Sequence, residues 1–448
     1  MAARSWVGTL TVLGAGLALA SLALTLTPDE AEAQRKKKER PNPDLIRIHV
    51  LNVGQGDGTV IEGPADANGD RRVMVVDTGE SPKKGNEAKH VVEPYLRNKL
   101  DDGPATRPVV NVDYFIPTHY HHDHMGGVRG EEGTGMYYLY ESLGTRIGLI
   151  LDTGIAYDAS GLGDKQYRNW VKEKQPRREK LRFDQQGEDR QIDMGEGVWV
   201  EVLAVGAEVE GRGRVVKDKW ISTTSQNDFS STIVVHYGKF DFYVAGDLSG
   251  YLHESWGAWY HPVESATYPH LRQTEVYRVN HHGSQWSSNY PFMQRLKPKV
   301  ALISCGKGHK HPNEYTVRRI LGWEDFWTGR PMGSEIFQTK ADDGYTFEGL
   351  HPHTNRQQRI ANGNILIESD GKEIFTVRIP GEEPFTFPLD DIPAYTEPPY
   401  SVIKARREAL SLGAAGDGER YNKMDVAEDA DAGTVYVPRG NDPDGGGD

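Results

Sequence analysis

Thr118 to Gly127 reads THYHHDHMGG and holds four of the chain's sixteen histidines, with an aspartate, inside six residues. Core packing does not call for such a cluster, and a solvated face is ordinarily built from Lys and Glu. The run before it, VVNVDYFIPT (Val109 to Thr118), has the content of a buried strand. If the backbone stays extended past its end, His119 and His121 leave on one face and can chelate one metal ion. Asp123 and His124 follow where Met125-Gly126-Gly127 lets the chain turn sharply, and they can reach a second ion. Imidazole and carboxylate suit zinc, and also manganese or iron. A histidine tag would be repetitive and flanked by polar sequence, whereas this cluster follows a strand in mid-domain.

Outward from the cluster the chain reads as two β-rich blocks. Upstream, LIRIHVLNV, TVIEGP and RRVMVVDTG are short strands, separated by Gly-, Asp- and Pro-rich loops that include GQGDG (Gly54 to Gly58). NEAKHVVEPYLRNKL has helical spacing, with Pro94 expected to bend or delay it. From about 130 to 200 the sequence is polar and is expected to be an insertion or loops over the site. The second block opens at GVWVEVLAV and continues with SSTIVVHYGKFDFYVAGDL, a hairpin turning at Tyr237-Gly238-Lys239. EVYRVNHHGS and KVALISCGKG are two further strands ending in Gly-bearing loops, and HPNEYTVRRILGW is a helix start and helix. GSEIFQT, GNILIESDG and KEIFTVRIPG supply late strands. Two β-rich halves with helices between them point to a four-layer αββα sandwich.

The 448 residues suffice for one large domain or two ordinary ones. Mean hydropathy is −0.63, and the apolar exception is the N-terminus. Arg4, an apolar run to Leu26 and an A-x-A site before Gln34 give a secretory leader, residues 1–33, cut after Ala33; an uncleaved membrane anchor is the alternative. A secreted, periplasmic or extracellular protein is expected, on the membrane only if that segment is kept. A basic linker (34–44), the folded domain (45–380) and an acidic, largely disordered tail (381–448) follow. The leader carries Arg4 against Asp29, Glu30 and Glu32, so its loss moves the net charge from −13 to −11. Such a chain has no general attraction for nucleic acid or an anionic membrane, and no stable nucleic-acid partner is expected. Cys305 is the only cysteine, which excludes an internal disulfide framework; it reads as a small buried residue.

HYHHDH resembles the H-x-H-x-D-H signature of the metallo-β-lactamase fold. VMVVDTG resembles that family's strand ending in D-T-G, and FYVAGD its strand ending in an aspartate that bridges two metals. HVLNVGQGDG, NDFSSTIVV, RVNHHGS and HPNE together resemble the extracytoplasmic hydrolase domain of the DNA-uptake protein ComEC and its stand-alone relatives, over roughly Leu45 to Pro380. The resemblance implies one or two zinc ions, with manganese or iron as substitutes. His119 and His121 would hold the first, and Asp123, His124 and a histidine of NHHGS the second, with Asp247 between them. Spacing does not separate His281 from His282; His281 is preferred as ligand, with His282 facing the substrate or leaving group. Many family members have a further histidine before the bridging aspartate. Here that interval holds only His236, inside a strand-like run, and the Asn227 to Ser231 segment matches the ComEC-type relatives instead. Asp77, Asn227, Ser284 and His311 are expected against the substrate or behind the ligands. For Ser284 a turn cap, and for His311 a place beside a helix start, are the simpler alternatives. His122 reads as solvent-facing, with a substrate contact as the alternative, His309 as exposed, and Gly54 and Gly56 as turn formers near the site.

Two divalent ions about 3.5–4 Å apart can share and orient a hydroxide, with Asp123 as its acceptor. The leading expectation is a secreted metal-dependent hydrolase of phosphodiester bonds, acting on DNA, a nucleotide or a small phosphoester. A carbon-ester, lactone or β-lactam hydrolase on the same fold is the alternative. A non-catalytic, metal-stabilised binding protein is a third, disfavoured because structural zinc sites are closed and usually thiolate-rich.

Overall fold

In the computed structural model the described residues are 44–79, 87–100, 109–129, 132–154, 162–185, 190–216, 223–323, 333–341 and 343–390. The expected leader, nearly all of the linker, and the tail beyond Asp390 lie outside them. No helix among the described residues is long and apolar enough to cross a membrane.

Two nine-stranded sheets carry the fold. The first runs, edge to edge, Phe385–Pro388, Ile374–Arg378, Ile365–Ser369, Ile46–Val50, Gly58–Glu62, Val73–Thr78, Val110–Ile116, Thr145–Asp152 and Arg178–Lys180. The second runs Gly213–Arg214, Glu208–Val209, Val198–Val205, Thr232–Tyr237, Phe240–Ala245, Val276–Arg278, Val300–Ile303, Glu335–Gln338 and Gln358–Ile360. Side chains alternate across a strand, so each strand feeds two cores. Ile46, Ile48, Val50, Met74 and Val76 of the first sheet meet Val200, Val202, Phe242, Val276 and Leu302 of the second in one cluster between the sheets. Val60, Val75, Val112 and Phe115 face the other way, onto Val92, Leu96, Met136 and Trp170 of outer helices. Tyr243, Tyr277, Ala301 and Ile303 pack likewise on Phe292, Leu296, Val317 and Ile320. The result is the expected helix–sheet–sheet–helix sandwich, and burial on both faces explains why its strands read as near-continuous apolar runs.

Three elements depart from expectation. The 130–200 segment is not loops alone: Thr145–Asp152 lies inside the first sheet, parallel to Val110–Ile116. Tyr137, Leu139, Tyr167 and Trp170, from the same segment, enter the outer core. The domain also runs past Pro380, because Phe385–Pro388 pairs with Ile374–Arg378. Its Phe385 packs on Phe337 and its Phe387 on Phe375. Pro94 sits in the first turn of Glu93–Lys99, where its missing N–H costs little, and a π-helical turn, Ala88–Val92, precedes it.

Candidate metal centre

The site gathers where strands of both sheets end. Val73–Thr78 carries Asp77 at its close, and Val110–Ile116 feeds the histidine cluster. In the second sheet, Phe240–Ala245 delivers Asp247 and Val276–Arg278 delivers His281 and His282. The cluster ends in a single helical turn, His122–Met125, closed by Gly126 at φ 76°. Close backbone contact binds the three loops: Asp57 N donates to Asp123 O at 2.9 Å and Gly79 N to Asp57 O at 3.1 Å. A Cβ on Gly79 would fall 2.4 Å from the carbonyl carbon of Asp123 and from His124 N, so only glycine fits there.

His119 Nε2 and His121 Nδ1 converge to 3.0 Å, as expected for a pair aimed at one point. A second group forms around Asp247. His124 Nδ1 bonds Asp77 Oδ2 at 3.0 Å, which leaves its Nε2 3.1 Å from Asp247 Oδ1. His282 Nδ1 bonds the Ser304 carbonyl at 3.0 Å, and its Nε2 lies 3.6 Å from Asp123 Oδ2 and 3.7 Å from Asp247 Oδ2. Donor atoms of Asp57, His124, Asp247 and His282 all lie within 4.8 Å of one another. The sequence preferred His281 for this group, yet the four-residue group contains His282. His281 reaches Asp247 Oδ2 at 3.7 Å and approaches Asn227 Nδ2 at 3.4 Å.

Asp57 is the residue that sequence reasoning missed. It faces Nδ1 of both His124 and His282 at 3.7 Å, and its Oδ2 meets the guanidinium of Arg278 at 3.0 Å. Arg278 is fully buried, lies 3.6 Å from Asp77 and donates to the Ala245 carbonyl. Asp57 and Arg278 therefore back the rings on the side away from Asp123 and Asp247. An aspartate in the Gly-rich GQGDG turn was the one available signal.

The other expected residues divide clearly. Asp77 accepts from Thr118 N and Thr118 Oγ1, both at 2.8 Å, and orients His124. Asn227 and His311 line the pocket with Gln55, His121, Asp123, Asp247, Tyr260, His281, His282 and His309. Ser284 serves its turn, its Oγ accepting from Trp286 N at 3.3 Å. His236 is engaged by Asp241 at 2.7 Å and Glu201 at 3.3 Å and is stacked on Trp199. Cys305 is buried, with its thiol toward Lys340 O.

The electrostatics fit a cation. Burial disfavours charge on His124, but Asp247 and Asp77 outweigh it and hold its pKa well above the ordinary value. Burial is likewise overcome at His282, which Asp247 and Asp57 push up to about 9. Burial also opposes ionisation of Asp123 and Asp247, yet the neighbouring histidines hold both well below the usual carboxylate range. Burial keeps His119 and His121 below their ordinary values, so their ring nitrogens are free to act as ligands. His124 Nε2 and Asp247 Oδ1, 3.1 Å apart, and His282 Nε2, 3.6 Å from Asp123 and 3.7 Å from Asp247, are buried and face one another, as the donors of a shared cation would. The donor set, nitrogen and carboxylate oxygen without thiolate, fits a catalytic rather than a structural metal.

Part of the chain is similar to ComE operon protein 3 of Bacillus subtilis (strain 168), 36% identical over 55 residues, 12% of this chain and 7% of that protein. Among solved structures, Zn(2+)-bound PqqB from Methylobacterium extorquens matches at 11% identity and a TM-score of 0.29, over 52% of this chain and 72% of that one. A putative Zn-dependent hydrolase of the metallo-beta-lactamase superfamily from Thermotoga maritima matches at 11% identity and a TM-score of 0.27, over 65% and 97%. The model of the metallo-beta-lactamase superfamily matches residues 51–307, which takes in the histidine cluster, Asp247 and both histidines of NHHGS. With the sandwich and the strand-end donor groups in place, the chain belongs to the metallo-beta-lactamase superfamily.

Proposed function

We propose that the protein is a metal-dependent hydrolase of phosphodiester bonds, with zinc as the first expectation and manganese or iron as substitutes. The observation that carries this reading is the grouping of His119 with His121, and of His124 with Asp247 and His282, beside a pocket that His121, Asp123, Asp247 and His282 line. Divalent cations held there would supply an acidified water and a Lewis acid for a substrate oxygen. The chain's own residues do the rest. Asp77 and Ser304 fix the tautomers of His124 and His282, and Asp123 stands beside His282 as a proton acceptor. Gln55, Asn227 and Tyr260 in the lining are neutral groups able to bond ester or phosphoryl oxygens. The phosphodiester preference rests on the likeness of GQGDG, NDFSS and NHHGS to ComEC-type hydrolases.

The test is turnover of bis(p-nitrophenyl) phosphate beside a chromogenic β-lactam and a simple lactone, with metal content measured on the same sample. Cleavage of the phosphodiester, lost with a chelator and restored by zinc or manganese, is expected. Turnover of only the lactam or lactone would move the protein to carbon-ester chemistry. Activity that survives full metal removal would overturn the mechanism.

A further inference from the structure

Asn227 and Tyr260 line the pocket, and each is the chain neighbour of one member of a hydrogen-bonded pair, Asp228 with His261. Asp228 Oδ2 accepts from His261 N at 2.8 Å and from His261 Nδ1 at 2.7 Å. The Asp228 side chain is fully buried, and that of His261 is 14% exposed. The two belong to different elements. Asp228 lies in the short 3-10 helix Gln226–Phe229, where Ser225 Oγ accepts from Asn227 N at 3.2 Å. His261 directly follows the hairpin His253–Ser255 with Ala258–Tyr260.

That hairpin belongs to neither nine-stranded sheet. A lone two-stranded hairpin is marginal in water, so its place beside the pocket has to be fixed by further contacts. The Asn227 turn supplies some of them. Ser225 N donates to Trp259 O at 2.8 Å, and Thr224 bridges Trp259 beside it. Tyr260 stacks on His253 at 4.5 Å, and His253 on Trp286 at 4.4 Å, in the loop that follows His281 and His282. Past His261 the chain enters Val263–Ala266, whose Glu264 accepts from Asn280 and Ser288 of that same loop. Stability alone does not call for the Asp228–His261 pair. Burial pushes the Asp228 carboxyl up to about 6 against the pull of His261. Among the described residues its Oδ1 is buried with no hydrogen-bond partner. A buried polar pair of this kind is often no more stabilising than an apolar pair of similar size. What it does provide is direction, because a carboxylate oxygen that takes both the backbone and the ring N–H of one residue fixes where that residue sits.

We propose that Asp228 and His261 are positioning residues that hold the Asn227 turn and the Tyr260 hairpin together as one wall of the pocket. They act on substrate binding and not on metal binding. Asn227, whose Nδ2 is 3.4 Å from His281 Nε2, and Tyr260 then meet the substrate from a fixed frame. The substrate contact rests on the phosphodiesterase reading above, whereas the clamp itself does not.

The experiment compares metal-loaded wild type, His261→Ala, Asp228→Ala and His261→Asn on bis(p-nitrophenyl) phosphate. Metal affinity is read by competition with a chromogenic chelator, and hydrogen exchange of residues 251–261 by mass spectrometry. Asparagine offers an amide N–H close to where the ring carries Nδ1–H, so it keeps the bond to Asp228. In both alanine variants KM is expected to rise about tenfold, the loss of one or two hydrogen bonds, with kcat within about threefold. Metal affinity should fall by less than the roughly tenfold that losing a ligand's outer partner costs. The amides of 251–261 should exchange about tenfold faster. His261→Asn should return KM and exchange to within about threefold of wild type. Thermal melting checks folding, and if Asp228→Ala does not fold, His261→Ala, altered at a partly exposed side chain, decides. An unchanged KM or unchanged exchange in His261→Ala overturns the proposal, as does metal affinity lost in step with KM. So does a His261→Asn variant as impaired as the alanine one, which would make the ring's other nitrogen the working atom. A wild type that does not cleave the diester overturns the phosphodiesterase reading, and the exchange of 251–261 then decides the clamp by itself.

Discussion

His124 and His282 are set up alike. Each gives its Nδ1 to a protein acceptor, Asp77 or the Ser304 carbonyl, and so turns its Nε2 towards Asp247. A partner of this kind fixes the tautomer and orientation of a metal-binding imidazole. His281 has no such anchor: its Nδ1 is buried without a partner. Replacing His282 by alanine should therefore cost more than the roughly 10–100-fold in metal affinity typical of losing an outer partner. His281→Ala should stay within about tenfold of wild type. Competition with a chromogenic chelator measures both, and the reverse order would return the ligand role to His281. Spacing could not make this choice, because both residues are left-handed, at φ 50° and 51°, where strand alternation no longer predicts side-chain direction. The cluster His119 to His124 was legible because its spacing survives the turn that follows. Asp57 was not, since an aspartate between glycines reads first as a turn former.

Among the elements, the short helix Val263–Ala266 fixes the loop that carries the two histidines. Glu264, fully buried, accepts from Asn280 Nδ2 at 2.8 Å, Ser288 N at 2.7 Å and Asn289 N at 2.9 Å. Burial raises its carboxyl to about 7, against the pull of those donors. A folded pKa above the unfolded one means a contribution fully present below about pH 4.5 and lost as pH rises to about 7. The loss is on the order of 3 kcal/mol. Urea unfolding of Glu264→Gln, which has no proton to lose, should show a flatter stability profile over that interval than wild type. Parallel profiles would show that Glu264 stays ionised in the folded protein. Neither this helix nor the strand Thr145–Asp152 was legible in the sequence. In the strand, Arg146 and Gly148 interrupt the apolar residues, and the segment reads as polar until its neighbours bury it. The strands of VVNVDYF, STIVVHY and KFDFYVA were legible because most of their positions are buried and apolar or aromatic.

At the scale of the whole molecule, the centre lies across the seam between the sheets. Asp57, Asp77, Asp123 and His124 come from strand ends and connections of the first, and Asp247, His282 and Arg278 from those of the second. Four buried or largely buried carboxylates face one buried guanidinium and the rings of His124 and His282, so the seam carries negative charge that burial makes costly wherever protons or cations do not offset it. Arg278 relieves part of it by pairing with Asp57 at 3.0 Å across the seam. Divalent cations would relieve the rest and tie the two halves together. A ligand that binds only the folded state, present at about 1,000 times its Kd, stabilises by about 4 kcal/mol. For a domain of this size, stripping the metal should lower Tm by on the order of 10 °C, and readdition should restore it. Calorimetry with and without chelator measures the shift, and the loss should be shared by both halves because the donors come from both. Identical melting curves would mean that the seam is stable without its ions, with the buried charge neutralised by protons on His124 and His282, which Asp247 already draws above their ordinary pKa.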